Sequence, residues 1–402
     1  MTNAFHDELR RPRRRAEATS APQLGLSTAA VTPRDGHLRN AHHFRDLAAH
    51  ATAHPGSAGP EACFSLLDAE ADSLRRAMNW CVRHDPDSAL AMVGSLWPWW
   101  HRHGHYGEGR AAATAALNSA VDAPARLRAP ALSAAGLLAL LQCDYEAAQS
   151  LVQQGLDAYS SVNDLAGLRW SLALLGEVAL QRGEYTVAGQ LHEQALVLAR
   201  RAEDVRGMGE QLNALARVAW LRGDVSQAQS RARRALEALS GLEDQQGIVC
   251  ALVNLGVTAR YRADLAGATA LLTDSLLRSE HLDYREGVAW SLNQLGVVSR
   301  LQGDHDTARA EQDRSLQEHR RLGGRWRTAS VLDELAALSM ARGDADRATA
   351  ELTAADRLRR EIGAPMPMAE EPARRQTLRA TQSLGSSSMP TLNVPRLAGS
   401  YR

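Results

Sequence analysis

A repeat of 40 residues constrains the fold of this chain more than any other feature of its sequence. A turn-like pair, usually a glycine followed by an acidic residue, returns at this interval as Cys143-Asp144, Gly183-Glu184, Gly223-Asp224, Ala263-Asp264, Gly303-Asp304 and Gly343-Asp344. A leucine followed by a small residue precedes five of these pairs, as Leu175-Gly176, Leu215-Ala216, Leu255-Gly256, Leu295-Gly296 and Leu335-Ala336. Markers that hold one register over so many copies indicate a structural repeat rather than coincidence.

Each repeat has the sequence pattern of two antiparallel helices. In one copy, apolar residues follow helical spacing at Leu172, Leu175, Val178 and Ala179, and the glycine after them suits the left-handed conformation that ends a helix. A single helical hairpin cannot bury its apolar face, whereas stacked hairpins can. The sequence therefore predicts an all-α fold, a right-handed α-solenoid in which residues 131–362 form six stacked helical hairpins.

The regions that flank these six repeats differ from them in character. Residues 37–130 have helical patterns without the regular period, and we expect them to form degenerate repeats at the N-terminal end of the solenoid. Residues 1–36 and residues 363–402 lack a sustained helical period, and the first of these stretches is rich in arginine. We therefore expect a disordered basic N-terminal tail and a mostly disordered C-terminal tail.

The repeat units resemble a known family of helical repeats. Tetratricopeptide repeats carry a Leu-Gly pair, then Gly-Asp-Tyr, then Ala and Ala-Leu, and a similar order is found in GEYTVAGQLHEQAL and GDHDTARAEQDRSL. The ordinary tetratricopeptide repeat has about 34 residues, so the units of this chain are longer. The resemblance implies a helical solenoid that binds proteins or peptides.

A narrower resemblance involves the C-terminal repeat halves of large bacterial ATP-dependent transcription regulators, of the SARP-like and LuxR-like kind. The stretches that resemble them are SLLDAEADSLRRAMNW, LWPWWHRHGHYGEGR and EIGAPMP. The sequence contains no lysine, so it cannot contain the nucleotide-binding P-loop of those regulators. It also shows no helix-turn-helix segment. This resemblance implies a regulatory protein, with an NTPase or DNA-binding regulator subunit as a candidate partner.

Composition argues against several functional classes. The 46 basic side chains equal the 46 acidic ones, so the long-range attraction of a nucleic-acid or membrane-surface binder is missing. The chain has no apolar run of the length that crosses a membrane and no secretory signal pattern. We therefore expect a cytoplasmic protein that binds neither nucleic acid directly nor a membrane.

Motifs for catalysis, cofactors and metals are missing as well. The four cysteines lie far apart without C-x-x-C spacing, which favours free thiols over zinc ligands or disulfides. His101, His103 and His105 alternate, and residues two apart on a helix face different directions. We expect no metal, no cofactor and no enzymatic activity, although an active site assembled from distant residues remains a third hypothesis.

The first helix of each hairpin should line the concave face of such a solenoid, because the second helices pack outside it. The polar residues that we expect on that face are Glu177, Asn213, Arg217, Asn254, Arg260, Asn293 and Arg300. Asparagine amides can bind a peptide backbone, and arginine can bind a carboxylate in bidentate fashion. The first hypothesis is a scaffold that binds a protein or peptide, and the alternative is a sensor of a small-molecule effector. Ordinary solvated helix residues would show the same pattern.

Overall fold

The structure, a computed structural model, describes residues 33–53 and 58–387. The chain divides into two units, residues 1–39 and residues 40–402. Of the first unit, only residues 33–39 are described, and they are helical. Most of the expected N-terminal tail therefore lies outside the described residues, and the features below belong to the second unit.

The described residues form eighteen helices and no strand. Five helices come before the regular repeats, namely α1 (Pro33–Ala53), α2 (Ala58–Ala69), α3 (Ala71–His84), α4 (Pro86–His103) and α5 (Tyr106–Ser119). Six hairpins follow, namely α6 (Ala125–Leu141) with α7 (Tyr145–Ser161), α8 (Leu165–Gln181) with α9 (Tyr185–Arg201), α10 (Val205–Leu221) with α11 (Val225–Ser240), α12 (Gln245–Tyr261) with α13 (Leu265–His281), α14 (Arg285–Gln302) with α15 (His305–Arg321), and α16 (Arg325–Ala341) with α17 (Ala345–Ile362). The predicted all-α solenoid of stacked hairpins is confirmed. The first hairpin begins at Ala125 rather than at residue 131, because α6 continues through Pro130.

The repeated glycine and acidic residue form the turn inside each hairpin. Gly183, Gly223, Gly303 and Gly343 have φ between 76° and 84°, the left-handed region that glycine adopts without strain. The aspartate that follows most of these turns caps the next helix, as Asp224 accepts a hydrogen bond from the backbone N–H of Gln227 at 2.9 Å. This cap satisfies a backbone donor that the helix itself cannot pair.

Small residues allow the two helices of a hairpin to approach each other. A Cβ atom added at Gly256 in α12 would lie 2.6 Å from Leu272 Cγ in α13. The equivalent Gly176 in α8 would place a Cβ atom 2.6 Å from His192 Nε2 in α9. The repeated small residue therefore marks the point where the first and second helices cross closely.

The first helices of successive hairpins also pack against one another: α6 with α8, α10 with α12, α12 with α14, and α14 with α16. Their close spacing indicates that they lie on the inner side of the curved stack. We call the surface formed by these first helices the inner face.

The stack curves so strongly that the N-terminal helices α4 and α5 contact the fifth and sixth hairpins. His101 Nε2, at the end of α4, lies 3.8 Å from a carboxylate oxygen of Glu286 in α14, and Arg102 lies 3.7 Å from Asp283. A Cβ atom added at Gly323, in the turn before α16, would lie 3.3 Å from the ring of Tyr106 in α5. These contacts join the N-terminal helices to the fifth and sixth hairpins and enclose the inner face.

The C-terminal region differs from the sequence-based expectation. Residues 371–387, which we expected within a mostly disordered tail, form a helix, α18 (Glu371–Ser387). Arg374 of this helix forms a buried ion pair with Asp333 in α16 and a partly exposed one with Asp356 in α17. These charges come from elements far apart in sequence, so the local pattern of α18 does not reveal them. Residues 388–402 lie outside the described part of the chain.

Ala263 occupies a turn position where four other repeats have glycine, and its φ is +61°. A left-handed conformation costs a residue with a Cβ atom about 1–2 kcal/mol, and a glycine there removes this cost at some entropic expense. Ala263→Gly should therefore raise the free energy of unfolding by about 1 kcal/mol in urea denaturation. As a control, Ala354→Gly, at an exposed position inside α17, should lower it by about 1 kcal/mol. A destabilised Ala263→Gly variant would contradict this account of the turn.

Gly256→Leu should lower the free energy of unfolding by about 1–3 kcal/mol, because the added side chain overpacks the contact with Leu272. Gly189→Leu is the matched control. It lies within α9, and an added Cβ atom there would meet only Val218 Cγ1 at 3.8 Å, an ordinary contact. Equal unfolding midpoints for the two variants would show that α12 and α13 do not cross at Gly256.

His319 in α15 is 2 % exposed, and its burial, followed by repulsion from Arg327, lowers the pKa of the imidazole from 6.5 to about 3. In the unfolded chain the His319 imidazole binds a proton below about pH 6.5, whereas in the folded protein it does so only near pH 3. The free energy of unfolding therefore falls as the pH drops from 6.5 towards 3. Between pH 7 and pH 5 this loss should be about 2 kcal/mol. His319→Leu should reduce the loss by that amount in urea denaturation, since Leu239 fills the equivalent position of another repeat. An equal loss of the free energy of unfolding between pH 7 and pH 5 in the wild type and in His319→Leu would contradict this role of His319.

Candidate functional site

All seven residues expected on the concave face lie on first helices. Glu177 belongs to α8, Asn213 and Arg217 to α10, Asn254 and Arg260 to α12, and Asn293 and Arg300 to α14. The structure divides them into a buried chain of asparagines, two arginine–glutamate pairs and a group around a cavity.

Asn213 and Asn254 connect neighbouring hairpins through a chain of hydrogen bonds. Trp220 Nε1 donates to Asn254 Oδ1 at 3.3 Å, and Asn254 Nδ2 donates to the backbone oxygen of Asn213 at 3.1 Å. Asn213 Nδ2 donates in turn to the backbone oxygen of Gly247 at 2.9 Å. Both amide nitrogens are therefore used within the protein, and these side chains hold α10 against α12.

Two of the three predicted arginines have carboxylate partners. Arg217 pairs with Glu177 across α10 and α8, and Arg300 pairs with Glu334 of α16 at 2.9 Å. Arg260 instead lies over the ring of Tyr261, with 4.3 Å between its guanidinium carbon and the ring centroid. Among the described residues, no carboxylate oxygen lies within ion-pair distance of Arg260. It remains a half-buried cation with capacity for a further anionic group.

A cavity of about 240 Å³ opens on the inner face between α12, α14, α16 and the start of α18. Its lining includes Trp220, Arg260, Tyr261, Asn293, Gln294, Ser330, Glu334 and Glu370. Asn293 is 4 % exposed and Gln294 is 6 % exposed, and their amide oxygens find no hydrogen-bond partner in the described part of the chain. Buried amide oxygens without partners are costly, so this cavity has unused capacity to accept hydrogen bonds.

Arg327 in α16 is a cation of the inner face that our sequence analysis missed. Its guanidinium carbon lies 4.4 Å from the ring centroid of Trp290 and 4.6 Å from that of Trp326. Arg217 approaches the same Trp290 ring at 5.7 Å. Burial, and then repulsion from Arg217, lower the pKa of Arg327 to about 10. No described carboxylate oxygen lies within 4.0 Å of Arg327, so the two tryptophans supply its nearest stabilisation.

The repeat register contains signals for the residues that were missed. Arg327 takes the position at which earlier repeats have Gly167, Gly207, Gly247 and Gly287, so it breaks a regular marker. Asn254, Gln294 and Glu334 share another position of the 40-residue frame. Comparing polar residues across the repeats position by position would have identified Gln294 and Glu334 as neighbours of Asn293.

The alternating histidines lie near the end of α4 and pair with separate acidic residues. His103 Nε2 lies 2.8 Å from Asp68 Oδ1, which also accepts a hydrogen bond from Trp99 Nε1 at 2.7 Å. His105 lies 4.0 Å from Glu108. Within residues 33–53 and 58–387, no group of three or more His, Cys, Asp or Glu side chains has the arrangement of a metal site.

Comparison with known sequences supports the repeat assignment for part of the chain. The family model described as tetratricopeptide repeat matches residues 288–325, which cover most of α14 and all of α15. A search of curated proteins found no match. Among the described helices, none has the length and apolar character needed to cross a membrane.

Several solved structures have a similar architecture. A Rap protein complexed with Competence and Sporulation Factor has a TM-score of 0.54 at 14 % identity, covering 88 % of this chain and 99 % of that chain. The Rap conjugation gene regulator of plasmid pLS20, in complex with the Phr* peptide, has a TM-score of 0.57 at 13 % identity, covering 82 % and 96 %. The apo quorum sensor NprR from B. thuringiensis has a TM-score of 0.54 at 12 % identity, covering 80 % and 87 %. The chain therefore has a tetratricopeptide-type repeat fold similar to that of the Rap and NprR regulators.

Proposed function

We propose that this protein is a non-enzymatic regulatory scaffold that binds a peptide on its inner face. The observation that carries this proposal is the group of unused polar atoms at the cavity on the inner face. Asn293 and Gln294 present buried amide oxygens without partners, and Arg260 is a cation without a carboxylate within 4.0 Å in the described chain. A peptide supplies the complementary groups, since its backbone N–H groups donate hydrogen bonds and its carboxylates are anionic.

The proposed groove consists of the seven predicted residues together with Arg327, Gln294 and Glu334. Arg260 and Asn293 contact the ligand in this proposal, because they line the cavity. Asn213 and Asn254 act by holding α10 and α12 together, since their amide nitrogens bond within the protein. Arg217 and Arg300 supply positive charge from positions where glutamates hold them.

Similar architectures support this assignment by analogy. The Rap protein, the pLS20 regulator and NprR have solved complexes with Competence and Sporulation Factor, the Phr* peptide and the cognate peptide NprX, respectively. A solenoid of this type can therefore bind a peptide. The partnership with an NTPase or DNA-binding subunit, which the resemblance to ATP-dependent regulators implied, stays a prediction, as do the SARP-like and LuxR-like relationship and the cytoplasmic location.

A small-molecule sensor is the second candidate, because the cavity is partly enclosed and has both polar and apolar lining residues. Its volume of about 240 Å³ lies below the range of about 300–1,000 Å³ that is typical of small-molecule sites. A peptide that lies along the inner face and places one side chain in the cavity fits this volume better. We therefore place the peptide scaffold ahead of the sensor.

The test is affinity selection from a pool of randomised heptapeptides, with retained peptides identified by mass spectrometry and measured individually by calorimetry. Arg260→Ala combined with Arg300→Ala should weaken binding of the selected peptides at least ~10-fold, because the charge-assisted hydrogen bond of Arg260 contributes about 1.5–3 kcal/mol and Arg300 adds positive charge to the groove. Added salt should weaken it further. The matched control is Arg314→Ala with Arg342→Ala, which removes two exposed ion pairs, with Glu280 and Asp306, and the same charge.

Equal affinities of the groove variant and the control variant would contradict binding at these arginines. A protein that retains no peptide from the pool would contradict the peptide scaffold itself and place the small-molecule sensor first.

A further inference from the structure

The chain that follows the last hairpin runs back over the stack and reaches the edge of the inner face. We call residues 363–370 the returning segment. Its Pro365 packs against Gly183 in the α8–α9 turn, where an added Cβ atom would lie 2.6 Å from Pro365 Cγ. The backbone of Met368 lies beside the side chain of Tyr185, at the start of α9. The segment thus extends from the sixth hairpin to the second.

The same segment reaches the cavity of the candidate site. Tyr261 Oη donates a hydrogen bond to the backbone oxygen of Ala369 at 3.4 Å, and Ala369 and Glu370 line the cavity beside Arg260. Glu370 lies near Ser330 of α16 and is attracted by Arg359 and Arg327. A backbone carbonyl and a carboxylate of this chain therefore occupy the edge of the proposed groove.

The returning segment has the conformation and composition of a bound peptide. Residues 364–367 are neither helical nor in a strand, and prolines at positions 365 and 367 remove two backbone donors that a helix would need. Ala364 and Pro367 are buried, whereas Pro365 and Met368 are exposed. Part of this irregular, proline-containing segment is therefore buried in the protein, and part of it remains open to solvent.

Helix α18 holds the returning segment in place through one cluster of charges. Arg374 pairs with both Asp333 and Asp356, and Arg359 also pairs with Asp333. Asp333 and Arg374 are 7 % and 9 % exposed, so water competes weakly for this contact. Arg374 follows the returning segment by only four residues, which fixes the C-terminal end of the segment at the cavity.

We propose that the returning segment is an internal ligand of the inner face, and that an external peptide of the same chemical class replaces it. That class is a short, irregular peptide that contains proline and other apolar residues and carries one carboxylate to take the place of Glu370. The proposal rests on the proposed function, since both place a peptide in one groove. It adds the ligand class and a regulatory step, because the groove cannot hold both chains at once.

The experiment uses the full chain and a fluorescein-labelled synthetic peptide with the sequence of residues 362–372, IGAPMPMAEEP. Arg374→Glu places a carboxylate against Asp333 and Asp356 and should release α18. The matched control is Arg375→Glu, an equal change of charge at a residue whose ion pair, with Glu371, lies within α18. Fluorescence anisotropy measures peptide binding, and hydrogen–deuterium exchange measures protection of residues 363–376.

We expect Arg374→Glu to exchange faster across residues 363–376 and to bind the peptide at least ~10-fold more tightly than the wild type or Arg375→Glu. The reason is that a tethered segment competes at an effective concentration on the order of millimolar. The same peptide with glutamine in place of Glu370 should bind the Arg374→Glu variant more weakly. Unchanged exchange in Arg374→Glu, or faster exchange without peptide binding, would overturn the proposal.

A measurement on the wild type avoids dependence on the folding of that variant. A heptapeptide selected by the wild type from the randomised pool should accelerate exchange of residues 363–376 when it is added in excess. Selected peptides that bind without changing this exchange would overturn the internal ligand and leave the peptide scaffold standing. If no heptapeptide binds either the wild type or Arg374→Glu, the peptide scaffold fails and the internal ligand fails with it.

Discussion

The close crossing of two helices at a small residue is the contact on which the whole solenoid depends. At Gly256 the first helix of a hairpin approaches Leu272 of the second helix so closely that even a Cβ atom would have to displace it. This crossing fixes the geometry of one hairpin. Because it recurs every 40 residues, successive hairpins have nearly the same geometry. The curvature of the stack is thus the sum of nearly identical steps. The accumulated curvature places His101 of α4 beside Glu286 of α14.

Closure of the stack explains why the polar side chains of the inner face are poorly solvated. Side chains from several first helices converge there, and the N-terminal contacts with the fifth and sixth hairpins limit access of water. An arginine in such surroundings is poorly solvated, and this lowers the pKa of Arg327 to about 10. Trp290 and Trp326 stabilise this cation through their ring faces, an interaction that strengthens as water is removed.

Sequence periodicity was sufficient for the hairpins because their contacts are local. The glycine turn at Gly183 and the crossing at Gly176 involve helices adjacent in sequence, so each leaves a marker in the 40-residue frame. Predicting that Glu177, Arg217, Arg260 and the other polar residues lie on first helices needed only this frame. Which of them pair, and which line a cavity, depends on neighbouring hairpins and on α18. Helix α18 itself was missed, because the Arg374–Asp333 contact joins residues that no local pattern relates.

Departures from the repeat are therefore where function should be sought in a chain of this kind. Position 327 would be glycine if the marker of four earlier repeats continued, and a glycine there would leave Trp290 without its nearest cation. The departure coincides with the region where Glu370 returns to the inner face and is attracted by Arg327. The regular repeats form the curved stack, and the residues that depart from the repeat pattern supply specific polar groups on its inner face. Asn293 and Gln294, whose buried amide oxygens have no partner among the described residues, lie beside this region.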